Sequence, residues 1–334
     1  MKRWVNKIVV LVLLCSLMAA SVMNVYAEES VILGDINSDG KLSVRDALSV
    51  LKVAAGLENF DEEKQVLADV DLSSQVNAKD ALLILKKAAG MLWYFPGETV
   101  EASGKIYVAG DSIASEHDFD ETYVRPVIGW GVVIGDLFNE SVTVQNEARS
   151  GRSSKSYIIE SNYNRYIGDL AKGDYYLISF GHNDEKISDA SRYTSPTGAS
   201  SERESFKWYL KTYYIDPAIE VGAFPVLISS VVRCNFSGNV LEKQSHAAYA
   251  VAMEELVAEY KEQGIDVGYI DLQQLTSDYY NEVGAEEAES LHAYTATELD
   301  RTHYCEKGAK LVSEMIVESM KEQGFDICKY LKTE

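Results

Sequence analysis

Apolar and polar positions follow a regular alternation from residue 105 onward. Short apolar runs occupy residues 105–109, 142–146, 175–180, 224–231 and 267–271. Stretches of helical periodicity lie between and after them, at residues 130–138, 153–166, 204–221, 247–263 and 307–323. Short strands that alternate with helices indicate βαβ units and a parallel sheet covered on both faces. This part is therefore predicted to be an α/β three-layer sandwich with a five-stranded parallel sheet.

A different pattern precedes this domain, because the segment before it is duplicated. Two polar loops begin at Asp35 and Asp69, 34 residues apart. Each leads into an apolar-periodic stretch, residues 47–57 and 81–91, that ends near a glycine and reads as a helix. A tandem loop-and-helix repeat predicts a small all-α module.

Oxygen donors in both loops have the ligand spacing of an EF-hand calcium loop, at positions 1, 3, 5, 7, 9 and 12. The donor at position 7 is a main-chain carbonyl. Gly40 at position 6 suits the sharp turn, whereas Ser74 replaces it in the second loop, so the first site is expected to be the better one. No helix is predicted before the first loop. The candidate ligands are Asp35, Asn37, Asp39, Lys41, Ser43 and Asp46, then Asp69, Asp71, Ser73, Gln75, Asn77 and Asp80.

The duplicated loop and exit helix, with aspartate at position 12, resemble the dockerin type I family across residues 34–92. The resemblance implies a module that folds on binding two structural calcium ions and docks onto a cohesin module of a scaffolding protein. It also implies that partner choice lies near Val44-Arg45 and Ala78-Lys79. Because these pairs differ, two equivalent binding orientations are not predicted.

The N-terminus carries three positive charges within seven residues, followed by an apolar run of about ten residues and by Val25-Tyr26-Ala27. This pattern predicts a secretory signal peptide. A membrane anchor is the alternative, but it needs roughly 20 apolar residues. We divide the chain into a signal peptide (1–27), a dockerin module (28–92), a linker (93–103) and the α/β domain (104–334). The protein is expected to be extracellular and associated with a cellulosome.

Charge and cysteine content narrow the range of partners. A formal net charge of −21 argues against nucleic acid or an anionic membrane surface as a partner, because a polyanion is repelled. Cys234, Cys305 and Cys328 remain after signal removal, in a compartment where disulfides persist. A single bridge of any pairing and free thiols all stay open.

Polar motifs follow the predicted strands, at the edge where open α/β sheets bind ligands. Ser112 follows the first strand, Asn183 follows the third, and Asp300 and His303 share one loop before the last helix. Ser112 supplies a nucleophile and His303 a base, and Asp300 is within reach of the His303 Nδ1–H. Together these residues predict acyl transfer through a serine.

The motifs Gly110-Asp111-Ser112, Asn146-Glu-Ala-Arg-Ser-Gly151, Gly181-His182-Asn183-Asp184 and Asp300-Arg-Thr-His303 occur in the order of the GDSL/SGNH hydrolase superfamily, which residues 104–325 resemble. The resemblance implies a flavodoxin-like sandwich and a catalytic triad of Ser112, His303 and Asp300. It implies an oxyanion hole formed by the Ser112 and Gly151 N–H groups and the Asn183 amide. Calcium is then expected for the dockerin module and no cofactor for catalysis.

Four further matches resemble the rhamnogalacturonan acetylesterases and related pectin or xylan deacetylases: Gly129-Trp130-Gly131, Gly151-Arg-Ser, Phe180-Gly-His-Asn-Asp184 and Thr302-His-Tyr304. The function implied is removal of O-acetyl groups from plant cell-wall polysaccharide, with acetylated pectin or rhamnogalacturonan expected as substrate. His182 and Trp130 are candidate substrate-binding residues, although packing of the loop is an equal alternative for His182.

Three alternative functions stay open: an acetylxylan esterase, a lipase or thioesterase of the same superfamily, and a catalytically silent polysaccharide-binding or assembly protein. His117, His246 and His292 match no motif and are assigned no role.

Overall fold

A computed structural model describes residues 32–89, 95, 101–118 and 120–333. The predicted signal peptide and most of the predicted linker lie outside the described residues. Within these ranges no helix is both long enough and apolar enough to cross a membrane.

A five-stranded parallel sheet organises the larger part of the chain, in the order β3-β1-β4-β5-β8. This sheet confirms the predicted α/β class, and each of the five predicted strands corresponds to one of its members. The strands of the described chain are β1 (Lys105–Gly110), β2 (Tyr123–Arg125), β3 (Thr143–Asn146), β4 (Tyr175–Ser179), β5 (Phe224–Ile228), β6 (Phe236–Ser237), β7 (Val240–Leu241), β8 (Gly268–Ile270), β9 (His292–Thr295) and β10 (Leu299–Tyr304).

Helices cover both faces of this sheet. Successive residues of β4 point to opposite faces, so Tyr175 and Leu177 join one core while Tyr176 and Ile178 join the other. Burial on both faces explains the continuous apolar runs. The helices are α1 (Val44–Ala54), α2 (Glu62–Ala68), α3 (Ala78–Ala88), α4 (Trp130–Val133), α5 (Ser154–Tyr157), α6 (Ser161–Tyr166), α7 (Phe206–Tyr209), α8 (Asp216–Val221), α9 (Ala247–Glu262), α10 (Leu272–Ser290) and α11 (Glu306–Glu322).

Some predicted helices are interrupted. The stretch 153–166 forms the two short helices α5 and α6, and in 204–221 a π-helical segment, Leu210–Ile215, joins α7 to α8. Helix α10 was not predicted. It buries few apolar side chains, and its sequence therefore lacks the sustained apolar stripe that predicts a helix. Gly284, at φ +79°, also interrupts the helix.

A second, three-stranded sheet in the order β10-β9-β2 also escaped prediction. The expectation that Asp300 and His303 share a loop was wrong, because both lie on β10. Leu299 pairs with Tyr294 and Tyr304 pairs with His292, with a shift of register between them. More residues of β10 than of β9 fill this interval, so the strand bulges and presents Asp300 and His303 together.

The N-terminal module contains α1, α2 and α3 around a small apolar core that includes Val50, Val70 and Ile84. Helices α1 and α3 begin three residues earlier than predicted. Their N-cap residues Ser43 and Asn77 form capping boxes with the aspartate at the third helical position. Helix α2 precedes the second loop, so the second repeat has an incoming helix.

Candidate active site

The turn after β1 holds Ser112 in a fixed position. The Asp111 carbonyl accepts the N–H groups of Ala114 and Ser115, and the Asp111 carboxylate accepts that of Ile113. Gly129 packs so closely on this turn that a Cβ there would lie 2.2 Å from the Ser115 carbonyl oxygen. The turn is thus held by its own hydrogen bonds and by the packing of Gly129 against it.

Ser112, His303 and Asp300 form a continuous hydrogen-bonded chain. His303 Nε2 lies 2.9 Å from Ser112 Oγ, and His303 Nδ1 lies 2.8 Å from Asp300 Oδ2. Both distances are within the range for a nucleophile, a base and the residue that orients the base. The fold brings together residues separated by 191 positions.

The Asp300 carboxylate is held from both sides. Its Oδ1 accepts the N–H groups of Thr302 and His303, and its Oδ2 also accepts the Tyr123 hydroxyl at 3.1 Å. Burial alone would raise the Asp300 pKa, but the hydrogen bonds and charge of His303 and the backbone donors lower it well below its usual value. Asp300 is therefore ionised at neutral pH.

Three N–H donors lie around this serine turn. Among the described residues, neither the Ser112 N–H nor the Gly151 N–H donates a hydrogen bond, and Gly151 adopts φ +74°. The Asn183 side chain donates through Nδ2 to the Arg152 carbonyl at 3.1 Å. Lys186 Nζ donates to Asn183 Oδ1 at 2.8 Å, which fixes the orientation of the amide. The Asn183 amide thus lies beside the loop that carries Gly151.

A cavity of about 260 Å³ adjoins His303 and Ser150. Pockets for drug-sized ligands are about 300–1,000 Å³, so this cavity suits one small unit. Its lining is mostly polar and consists of His117, Asp118, Asp120, Tyr123, Pro126, Val127, Ser150 and His303.

The first calcium loop is organised by carboxylates. Asp46 is fully buried, and its Oδ1 accepts the N–H groups of Ile36 and Asn37. Asp35 accepts the N–H groups of Asp39 and Gly40. The remaining candidates also face the loop: Asn37 accepts from Asp39 N, Asp39 accepts from Lys41 N, and Ser43 caps α1. The donors are oxygens, which fits a hard cation.

The second loop brings three carboxylates together. One oxygen each of Asp69, Asp71 and Asp80 lie within 4.8 Å of one another. Burial and the charge of Asp71 raise the pKa of Asp80, as expected where like charges share a site. The Gln75 carbonyl accepts from Ser73 Oγ and Asn77 Nδ2 on the same loop. This arrangement also fits a hard cation.

Ser74 is the second loop's departure from the EF-hand pattern. It adopts φ +64°, close to the φ +80° of Gly40 at the same loop position. A non-glycine residue pays roughly 1–2 kcal/mol for this conformation. The ranking of the first site above the second stays a prediction.

Comparison with known proteins gives the family. The model of the GDSL-like lipase/acylhydrolase family matches residues 106–316. The chain belongs to this family. The dockerin type I domain model matches residues 33–88, so the N-terminal module is a dockerin domain. Both predicted resemblances are confirmed, as is the expectation of an ester hydrolase.

The rhamnogalacturonan acetylesterase RhgT of Bacillus subtilis is 34% identical over 236 residues, which cover 68% of this chain and 94% of that protein. The probable rhamnogalacturonan acetylesterase YesY of the same organism is 31% identical, over 66% of this chain and 94% of its own length. The crystal structure of YxiM from B. subtilis has a TM-score of 0.51 at 21% identity and covers 70% of this chain and 60% of that one. The structural likeness supports the hydrolase fold.

Two candidate substrate-binding residues of the hydrolase domain are not on its surface. Trp130 is fully buried. Its main-chain N–H donates to the Ile113 carbonyl, and its main-chain carbonyl accepts from Ser313 Oγ. His182 is 3% exposed and donates through Nε2 to the Val231 carbonyl. Because neither side chain reaches solvent, their expected role in binding substrate is corrected to packing beneath the site.

The three histidines without an assigned role all lie near this network. His246 packs edge-on against His182, and both donate to the Val231 carbonyl. His292 donates to the His303 carbonyl through Nδ1. Burial lowers the pKa of His246 and of His292 to about 4, so both are neutral at pH 7.

His117 and Tyr123 are neighbours of the triad that sequence reasoning missed. His117 Nε2 donates to the Ser112 carbonyl at 2.7 Å, and its ring packs edge-on to that of His303. Tyr123 stands on β2, a strand of three residues. Neither residue belongs to a motif, and so short a strand leaves no periodic signal.

Two buried carboxyl groups, Asp111 and Asp184, lie next in sequence to Ser112 and Asn183. Burial raises the pKa of Asp111 to about 6 and, with the charge of Asp111 added, that of Asp184 to about 7. Asp184 accepts hydrogen bonds from Ser154 and Thr194 and so ties together the loops that carry Gly151 and Asn183.

The three cysteines of the hydrolase domain are unpaired in the structure. Cys234 and Cys305 are buried, and Cys305 Sγ donates to the Ser290 carbonyl. Of the alternatives that the sequence left open, the structure therefore has the free thiols, with no disulfide holding β10.

Proposed function

We propose that this protein is a secreted carbohydrate esterase that removes O-acetyl groups from acetylated rhamnogalacturonan or pectin by a Ser-His-Asp mechanism. The observation that carries the proposal is the hydrogen-bonded chain from Ser112 through His303 to Asp300. The names of the relatives RhgT and YesY supply the substrate class.

In this mechanism Ser112 Oγ attacks the acetyl carbonyl carbon while His303 Nε2 takes its proton. Asp300 fixes the imidazole with its proton on Nδ1 and stabilises the imidazolium that forms. The carbonyl electron pair moves onto oxygen, where the Ser112 N–H, the Gly151 N–H and the Asn183 amide donate to it.

The ester bond to the sugar then breaks, and His303 returns the proton to the departing sugar oxygen. This leaves an acetyl group on Ser112 and a free sugar hydroxyl. A water molecule, deprotonated by His303, attacks the acetyl-enzyme through the same oxyanion geometry. The bond between Ser112 Oγ and the acetyl carbon then breaks, His303 returns the proton to Ser112 Oγ, and acetate is released. Proton transfers and nucleophilic attack account for every step.

The dockerin domain has a separate proposed role. The twelve candidate ligands of the two loops would hold calcium, which supplies folding energy and takes no part in the chemistry. The exposed apolar side chains Val44, Leu48 and Leu51 on α1 and Leu82 and Leu85 on α3 offer a surface for a cohesin module of a scaffolding protein. The predicted signal peptide, export and domain boundaries belong to the same proposal.

Product release tests the proposal. Wild type and Ser112→Ala are incubated in parallel with acetylated rhamnogalacturonan and with acetylated xylan, where acetate is measured, and with long-chain p-nitrophenyl esters, where p-nitrophenol is measured. We expect the pectic polymer to be preferred. Preference for xylan would keep the mechanism and change the substrate, and preference for long acyl chains would indicate a lipase. Binding to polysaccharide without acetate release would indicate a silent binding protein.

A further inference from the structure

The proposed substrate and the charge of the protein are in conflict. Rhamnogalacturonan contains galacturonate units, each of which carries a carboxylate. The chain has a formal net charge of −21, and its long-range field therefore repels a polyanion. If the proposed function is correct, cations close to the catalytic serine must offset this repulsion.

Most cations on the oxyanion side of the site are already neutralised by a carboxylate. Arginines 149, 152 and 233 each pair with one acidic residue, respectively Glu147, Glu160 and Glu185. Arg192 pairs with Asp189 through Nε alone, and no described residue accepts a hydrogen bond from its two terminal nitrogens. Lys186 differs from them. Among the described residues it makes no ion pair, and its hydrogen-bond partner is the Asn183 amide oxygen. Lys186 is therefore a positive charge beside the site that no carboxylate pairs with directly.

Lys186 and Arg192 lie beside the proposed oxyanion donors. Lys186 Nζ contacts Asn183 at 2.8 Å and keeps two further N–H donors. Arg192 is held through Nε by Asp189 at 3.0 Å, and its Nη1 lies 4.0 Å from the position of a Cβ on Gly151. Partial burial and the charges of Arg192 and Arg233 lower the pKa of Lys186, whereas Asp111 and Asp189 oppose this shift.

The cavity next to His303 has the reverse charge. Asp118 and Asp120 line the cavity next to His303. A carboxylate on the substrate is repelled from this cavity and attracted toward Lys186, whereas a neutral sugar can occupy it. The acidic cavity and Lys186 together would orient a polymer in which neutral and anionic sugars alternate.

We propose that Lys186 and Arg192 form a carboxylate subsite that receives a uronate carboxylate of the acetylated polymer beside the oxyanion hole. The proposal rests on the proposed function and deepens it. It makes the free uronate a determinant of specificity. A methyl-esterified uronate lacks the charge and so loses the interaction.

The test compares one polymer in two forms: acetylated rhamnogalacturonan with free carboxylates and the same material after methyl esterification. kcat/KM for acetate release is measured for wild type, Lys186→Gln and Arg192→Gln. We expect wild type to prefer the free acid and each variant to lose about tenfold of that preference, mostly through KM, because a charged hydrogen bond is lost. Added salt should reduce the wild-type preference in the same direction.

Lys105→Gln is the matched control. It removes the same charge from an exposed residue at the start of β1, the opposite end of the sheet, and should leave the preference unchanged. Thermal unfolding verifies that each variant is folded.

Three results would overturn the subsite. The first is equal kcat/KM of wild type on both forms of the polymer. The second is a parallel loss of activity of the variants on both forms, which would mean that Lys186 merely orients Asn183. Finally, acetate release from neither form, with p-nitrophenyl acetate still hydrolysed, would show that the proposed substrate is itself wrong, an outcome distinct from the first two.

Discussion

The hydrolase domain and the dockerin domain are stabilised by different means. The central strands β1, β4 and β5 of the hydrolase sheet are buried between two large apolar cores. The dockerin domain has one small core, and its loops converge on Asp46 and Asp80, two fully buried carboxylates. Buried carboxylates are costly unless a positive charge or hydrogen bonds compensate them. The comparison teaches that an ion should determine the stability of one domain and leave the other unaffected.

The largest expected effect is a loss of catalysis that leaves the dockerin domain unchanged. Ser112→Ala removes the nucleophile and should lower kcat for acetate release on the order of 10⁴-fold or more. Calcium binding by the dockerin domain, followed by calorimetry, should not change. Substantial turnover by the variant would contradict the proposed triad.

Calcium removal should have the opposite effect. With a chelator in excess, the dockerin domain should lose its folded signal and its binding to cohesin, because the loop carboxylates are no longer neutralised. Acetate release should persist, since the hydrolase site uses no ion. Circular dichroism and activity on the same sample check both, and parallel loss of activity would show that the two domains depend on each other.

Within the hydrolase, Asn183→Ala should lower kcat by about 10²–10³ without a matching change in KM, because one oxyanion donor is lost. Asn281→Ala, an exposed position on α10, is the control for the same substitution. Equal effects of the two variants would remove Asn183 from the mechanism.

A smaller effect is expected at Tyr123. Tyr123→Phe removes one hydrogen bond to the Asp300 carboxylate and should lower kcat up to about tenfold. Tyr294→Phe makes the same change on the neighbouring strand β9 and should have no effect on kcat. If Tyr123→Phe also leaves kcat unchanged, the backbone donors alone suffice to hold Asp300.

The smallest effect concerns pH and the stability of the hydrolase domain. The folded pKa values of Asp111 and Asp184, about 6 and about 7, exceed the value of about 3.9 expected when unfolded. Their contribution to stability is complete below about pH 4 and is lost as the pH rises through 6 to 7. Neutral buried histidines have the opposite dependence below about pH 6.5, so a variant must isolate the carboxyl contribution.

Asp184→Asn should therefore reduce the decline of Tm between pH 6.5 and 8 by a few degrees relative to wild type. Calorimetry of the hydrolase transition measures this difference. An unchanged slope would mean that Asp184 is ionised throughout that range.

The predictable parts of the hydrolase are those with a strong local signal. The buried central strands β1, β4 and β5 give continuous apolar runs, and the motifs after β1 and β4 are contiguous in sequence. The small sheet lacks such a signal because β2 is short and β10 is bulged and half-exposed. Trp130 was misassigned, and the two alternatives for His182 could not be separated, because a motif match does not report burial. Lys186 and Arg192 come close to Asn183 and Gly151 only through the folding of their loops.

The separation of Ser112 and His303 along the chain has a consequence for when the enzyme becomes active. One residue follows the first strand of the large sheet, and the other stands on the last strand of the small sheet. A folding intermediate in which β10 has not yet docked has a nucleophile without its base. Recovery of esterase activity during refolding would therefore time the final docking step, and partly folded chains would be unable to cleave esters.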